Sequence, residues 1–138
     1  MSEAIANHPD QSVPVQLLDA YAGMAECYGA LRVAGEGLIL EFQGRDGFLH
    51  VFKGGVKETV IPWSEVVDLK LKKGWFVTRL LLTVRSIKWL AGVPGANGCQ
   101  VRMKVERRNR LLARQVAFAV NLRLCERELR LVSAGSAP

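Results

Sequence analysis

The stretch Val60-Ile61-Pro62-Trp63-Ser64-Glu65-Val66-Val67-Asp68-Leu69-Lys70-Leu71-Lys72-Lys73-Gly74 joins two strand patterns across a break. Pro62 lacks a backbone donor and is tolerated mainly at strand ends and edges, so it closes the run before it. After the short turn Trp63-Ser64-Glu65, Val67, Leu69 and Leu71 alternate with Asp68, Lys70 and Lys72. A period of two describes a strand with one buried and one wet face, and here the wet face is mostly lysine.

Upstream of this stretch, Gly29, Gly35, Gly37, Gly44, Gly47, Gly54 and Gly55 divide short runs rich in β-branched and aromatic residues. That punctuation predicts antiparallel strands near 27–33, 37–42, 47–53 and 57–61, with tight turns at Gly35-Glu36-Gly37 and Arg45-Asp46-Gly47. Downstream, Lys73-Gly74 turns into a run from Phe76 to Ile87. Phe76, Thr78, Leu80, Leu82 and Val84 share one face of it, while Val77, Arg79, Leu81, Thr83 and Arg85 share the other. Trp75 stands at the start of this strand, where a buried position is the simpler expectation. Leu90 to Gly98 is dominated by small residues and turn formers and reads as an exposed loop. Cys99, Val101, Met103 and Val105 then alternate with Gln100, Arg102, Lys104 and Glu106, a further strand whose outer face is again basic.

Two helices are expected. The longer begins at the cap residue Asn109 and reaches about Leu131. Leu111, Gln115, Phe118, Leu122, Cys125 and Leu129 fall on one side of it, and Leu112, Val116 and Ala119 form a second apolar row beside them. A short N-terminal helix is predicted from Ser12, with Pro14 in its first turn and Leu17, Leu18, Tyr21 and Met24 at helical spacing. Residues 1–11 form a flexible arm and 133–138 a fraying tail, leaving 12–132 as a single domain with strands over about 27–106 and the helix over about 109–131. No helices separate the strands, which excludes a parallel α/β sheet. The expected fold is mainly β: an antiparallel barrel or sandwich of about seven strands capped by a C-terminal α-helix.

At 138 residues and 15.2 kDa the chain has room for one hydrophobic core. Its 49% hydrophobic and 23% charged residues exclude a disordered or disulfide-scaffold composition. The net charge of +6 is unevenly placed. Residues 1–68 carry 4 Lys and Arg against 10 Asp and Glu, whereas residues 69–138 carry 15 against 3. The first fifteen residues lack the basic start and apolar run of a signal peptide, and three widely spaced cysteines suit a reducing compartment, so a cytoplasmic protein is expected, soluble or peripheral at a membrane.

Chemistry-bearing patterns are sparse. His8, His50 and the three cysteines show no metal-ligand spacing, and His50 lies between Leu49 and Val51 in an expected strand. Cys27, Cys99 and Cys125 read as small packed hydrophobes. The glycine-rich run at 92–98 lacks the lysine of a phosphate loop and opens no helix. Glu58, Glu65 and Asp68 sit among Lys57, Lys70 and Lys72 and read as a solvated surface. No catalytic constellation and no cofactor motif emerges, and a non-enzymatic role is expected.

The order of parts, with Gly37-Leu38-Ile39-Leu40-Glu41-Phe42 early and the helix last, together with Val60-Ile61-Pro62-Trp63-Ser64-Glu65-Val66, resembles the pleckstrin-homology-like superfamily and its small bacterial members. The resemblance lies in an "I-P-W-x-x-I" type turn between the two sheets and covers roughly residues 27–131. It implies a partly open barrel plugged by the helix, on a scaffold whose members bind lipids, peptides or other proteins. Lipid-binding members grip a headgroup with basic residues around the first hairpin loop. Here the turns Gly35-Glu36-Gly37 and Gly44-Arg45-Asp46-Gly47 hold one arginine and two acids, a departure that speaks against a specific phosphoinositide pocket.

Two interaction readings follow. Surplus apolar residues, Leu81 between Arg79 and Arg85, Trp89-Leu90 and the second row of the helix, fit association with a protein partner or with a second copy, as a homo-oligomer. The alternative is a peripheral contact with an anionic membrane, through Lys70, Lys72 and Lys73 beside Trp75 and Phe76. The stretch 102–130 adds nine basic residues, among them Arg110 and Arg114 in one sector of the helix. Nucleic acid is disfavoured as a partner because aromatic stacking residues are not interleaved with that stripe.

Overall fold

A computed structural model describes residues 11–18, 26–43 and 56–136. Seven antiparallel strands form one sheet in the order β4-β3-β2-β1-β7-β6-β5. They are β1 (Ser12–Leu17), β2 (Cys27–Val33), β3 (Gly37–Gln43), β4 (Val56–Pro62), β5 (Val66–Lys73), β6 (Thr78–Val84) and β7 (Gln100–Val105). Among the described residues one long helix, α1 (Arg110–Ser136), follows. Among the described residues the sheet is not closed: β4 and β5 are its two edges, and its halves meet where β1 pairs with β7 over only Gln16↔Lys104 and Leu17↔Met103. The mainly β fold with a C-terminal helix is thus as expected. The expected strand at 47–53, His8, His50 and the turn at Arg45-Asp46-Gly47 lie outside the described residues.

The N-terminal expectation is corrected. Ser12–Leu17 is a strand, not the start of a helix. Val13, Val15 and Leu17 are buried and alternate with Ser12, Pro14 and Gln16, and that period of two competes with the 3.6-residue reading of the same leucines. Pro14 is accommodated because it lies where β1 is paired on one side only, with β2. Residues 19–25, which hold Tyr21 and Met24, lie outside the described residues.

The core is built from the inward positions of both halves of the sheet, including Leu31, Leu38, Leu40, Ile61, Leu69, Leu80, Leu82 and Met103, all essentially inaccessible. The loop after β6 contributes to it as well. Ile87–Leu90 form a 3-10 turn, and Leu90 and Val93 are buried, so the segment expected as an exposed loop carries two apolar anchors. At Pro62 the chain leaves β4 into a second 3-10 turn, Trp63–Glu65. There the Trp63 indole Nε1 donates to the carbonyls of Ala34 and Gly35 at 3.2 and 3.1 Å. The Arg123 guanidinium lies 5.5 Å from the centre of the same ring, which ties α1 to the β2–β3 turn.

α1 packs against β5, β1 and β2, spanning the opening between the two halves of the sheet. It does so with Ala113, Val116, Ala117 and Val120, and with Asn121, whose Nδ2 donates to the Leu69 carbonyl at 3.2 Å. The first expected row, Leu111, Gln115, Phe118, Leu122, Cys125 and Leu129, points to solvent, with Phe118 70% exposed, and the expectation that the second row is surplus surface is corrected at Val116, which is fully buried. Small residues let the helix axis approach the sheet closely, and that contact fixed the rotation of the helix against the bulk of the larger row. Cys125 is consequently exposed rather than packed, whereas Cys27 is buried and the half-buried Cys99 packs against the core.

Candidate functional site

The strand order places β5, β6 and β7 side by side, and the register decides which side chains share a face. Lys72 lies opposite Arg79, which lies opposite Lys104. One step along, Lys70 lies opposite Leu81, which lies opposite Arg102. Directly paired residues point to the same face with Cβ atoms about 5 Å apart. Five cationic side chains therefore surround Leu81 on the outer face, while Leu69, Leu80, Leu82, Val101 and Met103 fill the inner one. Like charges in direct cross-strand apposition are destabilising. Lys70, Lys72, Arg79 and Lys104 nevertheless make no ion pair among the described residues.

At the end of this plate, the β5–β6 hairpin closes with the Gly74 amide donating to the Val77 carbonyl at 2.9 Å. The last ladder pair is Lys73↔Thr78, so Trp75 and Phe76 stand beyond the sheet, 91% and 82% exposed. The expectation of a buried Trp75 is corrected: the strand begins at Thr78, two residues later than the alternation implied, and the turn lifts both rings into solvent. A solvated aromatic pair at a hairpin tip, beside Lys72 and Lys73, is an amphipathic projection next to a cationic surface.

Three further expected residues sit elsewhere. Trp89 packs against the core, its Nε1 donating to Glu65 Oε1 at 2.9 Å, and its carbonyl accepting from Thr59 Oγ1 at 3.1 Å. The Lys88 ammonium lies 4.9 Å from its ring centre. Arg110 is half-buried, its Nε donating to the hydroxyl of the fully buried Thr78 at 3.2 Å, and so anchors the start of α1. Arg114 is exposed on α1, apart from the plate. Arg102 and Lys104 complete the plate and were not singled out for it in the sequence. Their alternation with Val101 and Met103 marked them as outward-facing, but only the neighbourhood of β7 and β6 brings them to Arg79.

The charge asymmetry of the sequence becomes an asymmetry of the sheet. Acidic Glu41 and Glu58 lie on β3 and β4, where Arg32 of β2 pairs with them at 3.4 and 3.7 Å, and the basic plate lies on the opposite half. Beside Lys104, a groove of about 340 Å³ is bordered by Pro14, Gln16, Glu26, Tyr28 and Glu106. The Tyr28 hydroxyl donates to the Glu26 carboxylate. That bond, with desolvation and the negative charges of Glu26 and Glu106 behind it, holds the phenol above its ordinary value near 10. Among the described residues no group of three or more His, Cys, Asp or Glu side chains converges as a metal site would require, and no helix is long and apolar enough to cross a membrane.

No protein-family model matches this sequence, and no curated protein matches it as a relative.

Proposed function

We propose that this chain is a non-enzymatic, pleckstrin-homology-like interaction module that docks peripherally on anionic membrane surfaces through the outer face of β5, β6 and β7 and the hairpin tip at 74–77. The observation that carries the reading is the placement of Lys70, Lys72, Arg79, Arg102 and Lys104 around Leu81, next to the solvated rings of Trp75 and Phe76. An anionic leaflet attracts basic residues near its surface by about 1 kcal/mol each. Such a surface relieves the like-charge apposition of Lys72, Arg79 and Lys104, and the apolar tip enters the headgroup boundary. The superfamily assignment is supported by the strand order, the open sheet and the helix across its opening. The contact differs from a headgroup pocket on the first hairpin, where the turn at Gly35-Glu36-Gly37 supplies an acid and no base. Nucleic acid fits less well, because both rings stand beyond the plate instead of between its cations, where bases would stack.

Flotation with vesicles of phosphatidylcholine containing phosphatidylserine tests the reading. Binding is expected to weaken with salt, to fall at least tenfold in Lys72→Glu/Arg79→Glu, and to fall in Trp75→Ser/Phe76→Ser at unchanged salt dependence. Equal recovery with neutral and anionic vesicles, or no binding at low salt, overturns it.

A further inference from the structure

The outward side of α1 carries a second surface, remote in chemistry from the cationic plate. Leu111, Gln115, Phe118, Leu122, Cys125, Leu129 and Val132 are all exposed and are separated by steps of four, three, four, three, four and three residues. This is the alternation of a coiled-coil seam, sustained over three heptads. At 100° per residue the seam is centred about 160° around the helix from Ala113, Val116, Ala117 and Val120, which face the sheet. The body of the protein therefore lies behind the helix, and a second helix can approach the seam without meeting the sheet.

We infer that the occupant of this seam is α1 of a second copy of the same chain, packed antiparallel about a two-fold axis near residue 120. In that register Leu111 meets Leu129 of the other copy, Gln115 meets Cys125, and Phe118 meets Leu122, each twice by symmetry. The flanking positions discriminate between the possible arrangements. Arg114 and Glu128 lie on the same shoulder of the seam, and antiparallel pairing brings each against the other across the axis, giving two opposite-charge contacts. Parallel pairing sets Arg114 against Ala119 and Asn121 against Glu126, with no opposite charges meeting, and moving the antiparallel register by one heptad separates Arg114 from Glu128. Charge complementarity thus selects the antiparallel, isologous pairing, with the seam positions from Leu111 to Leu129 filling its layers.

Disulfide trapping in the full-length protein tests both the partner and the register. Positions 115 and 125 are about 15 Å apart along one helix, too far to bridge within a chain. Gln115→Cys should therefore give, on mild oxidation, a covalent dimer whose bridge joins the introduced thiol to Cys125, located by peptide mapping, while the unsubstituted protein gives none through Cys125. A Cys125–Cys125 bridge in the unsubstituted protein overturns the antiparallel register. Failure of Gln115→Cys to cross-link, with a monomer by sedimentation at about 100 µM, overturns the second-copy assignment. Arg114→Glu should weaken association at least tenfold, and Arg114→Glu/Glu128→Arg should restore it. A double variant as weak as the single one refutes the charge pairing. Gln115, Arg114 and Glu128 are exposed, so circular dichroism should show the fold intact in every variant. Vesicle flotation of the same variants keeps this surface separate from the membrane reading, since none of these residues lies on the plate.

Discussion

The orientation of α1 can be tested by truncating its two sides separately. Val116 and Val120 are fully buried against the sheet, whereas Phe118, between them in sequence, is 70% exposed. Val120→Ala removes two methyl groups, worth about 1.6 kcal/mol at ~0.8 kcal/mol per buried carbon, and the residual cavity brings the loss to about 2 kcal/mol. Val116→Ala/Val120→Ala should approach about 4 kcal/mol, with some coupling because the residues are neighbours on one face. That is a large part of the roughly 5–15 kcal/mol typical of a domain, and corresponds to a fall of roughly 3–5 °C in Tm per kcal/mol at this size. Phe118→Ser removes a larger side chain but should change stability by no more than about 0.5 kcal/mol in the monomer. Urea unfolding followed by far-ultraviolet circular dichroism at about 1 µM protein provides the comparison. Repeated at about 100 µM, it should show Phe118→Ser falling behind the unsubstituted protein, because association adds stability by mass action. A Phe118→Ser variant that loses about 2 kcal/mol or more when dilute, beside a neutral Val120→Ala, would refute the helix orientation and the seam built on it.

Other substitutions read the joints of the fold. Trp63→Phe deletes the indole donor to the Ala34 and Gly35 carbonyls and weakens the Arg123 contact, so unfolding free energy should fall by about 1–2 kcal/mol with an unchanged denaturant slope. No loss would show that the β2–β3 turn is held by other contacts. Gly37→Ala would place a Cβ 2.2 Å from the Ile61 carbonyl oxygen in the β3–β4 ladder, and a lowered Tm matching about 2–3 kcal/mol is expected, whereas a neutral substitution would mean the strands separate easily there. Glu26→Gln removes the carboxylate that accepts from Tyr28 and disfavours its phenolate, so the Tyr28 phenol should titrate at lower pH, nearer to 10, by nuclear magnetic resonance. An unmoved titration would exclude Glu26 as the cause.

How far the sequence could be read depended on which physical signal each element used. The strands at 66–73 and 100–105 alternate apolar and polar residues, and those at 27–33, 37–43 and 56–62 are runs marked off by glycines and by Pro62; both are local signals that need no partner to be visible. Ser12–Leu17 also alternates, but its leucine continues a helical spacing into the following residues, and Pro14 suits a first helical turn. Only pairing with Cys27–Val33 and the burial of Val13, Val15 and Leu17 decide for a strand. The cations of the plate were legible one strand at a time, as lysines alternating along β5 and basic residues along β7. Their convergence depends on the order β7-β6-β5 and on register, which are long-range properties of the sheet.

The helix marks the boundary most clearly. By itself the sequence determined that α1 would form, where it would begin, and that it would carry more apolar surface than one face can bury. Periodicity ranks faces by bulk and favoured Leu111, Phe118 and Leu122. The tertiary structure chose Ala113, Val116, Ala117 and Val120, because a helix crossing the opening of a two-part sheet must come close, and closeness selects small side chains. The same choice turned the larger apolar row outward and made it available to a partner.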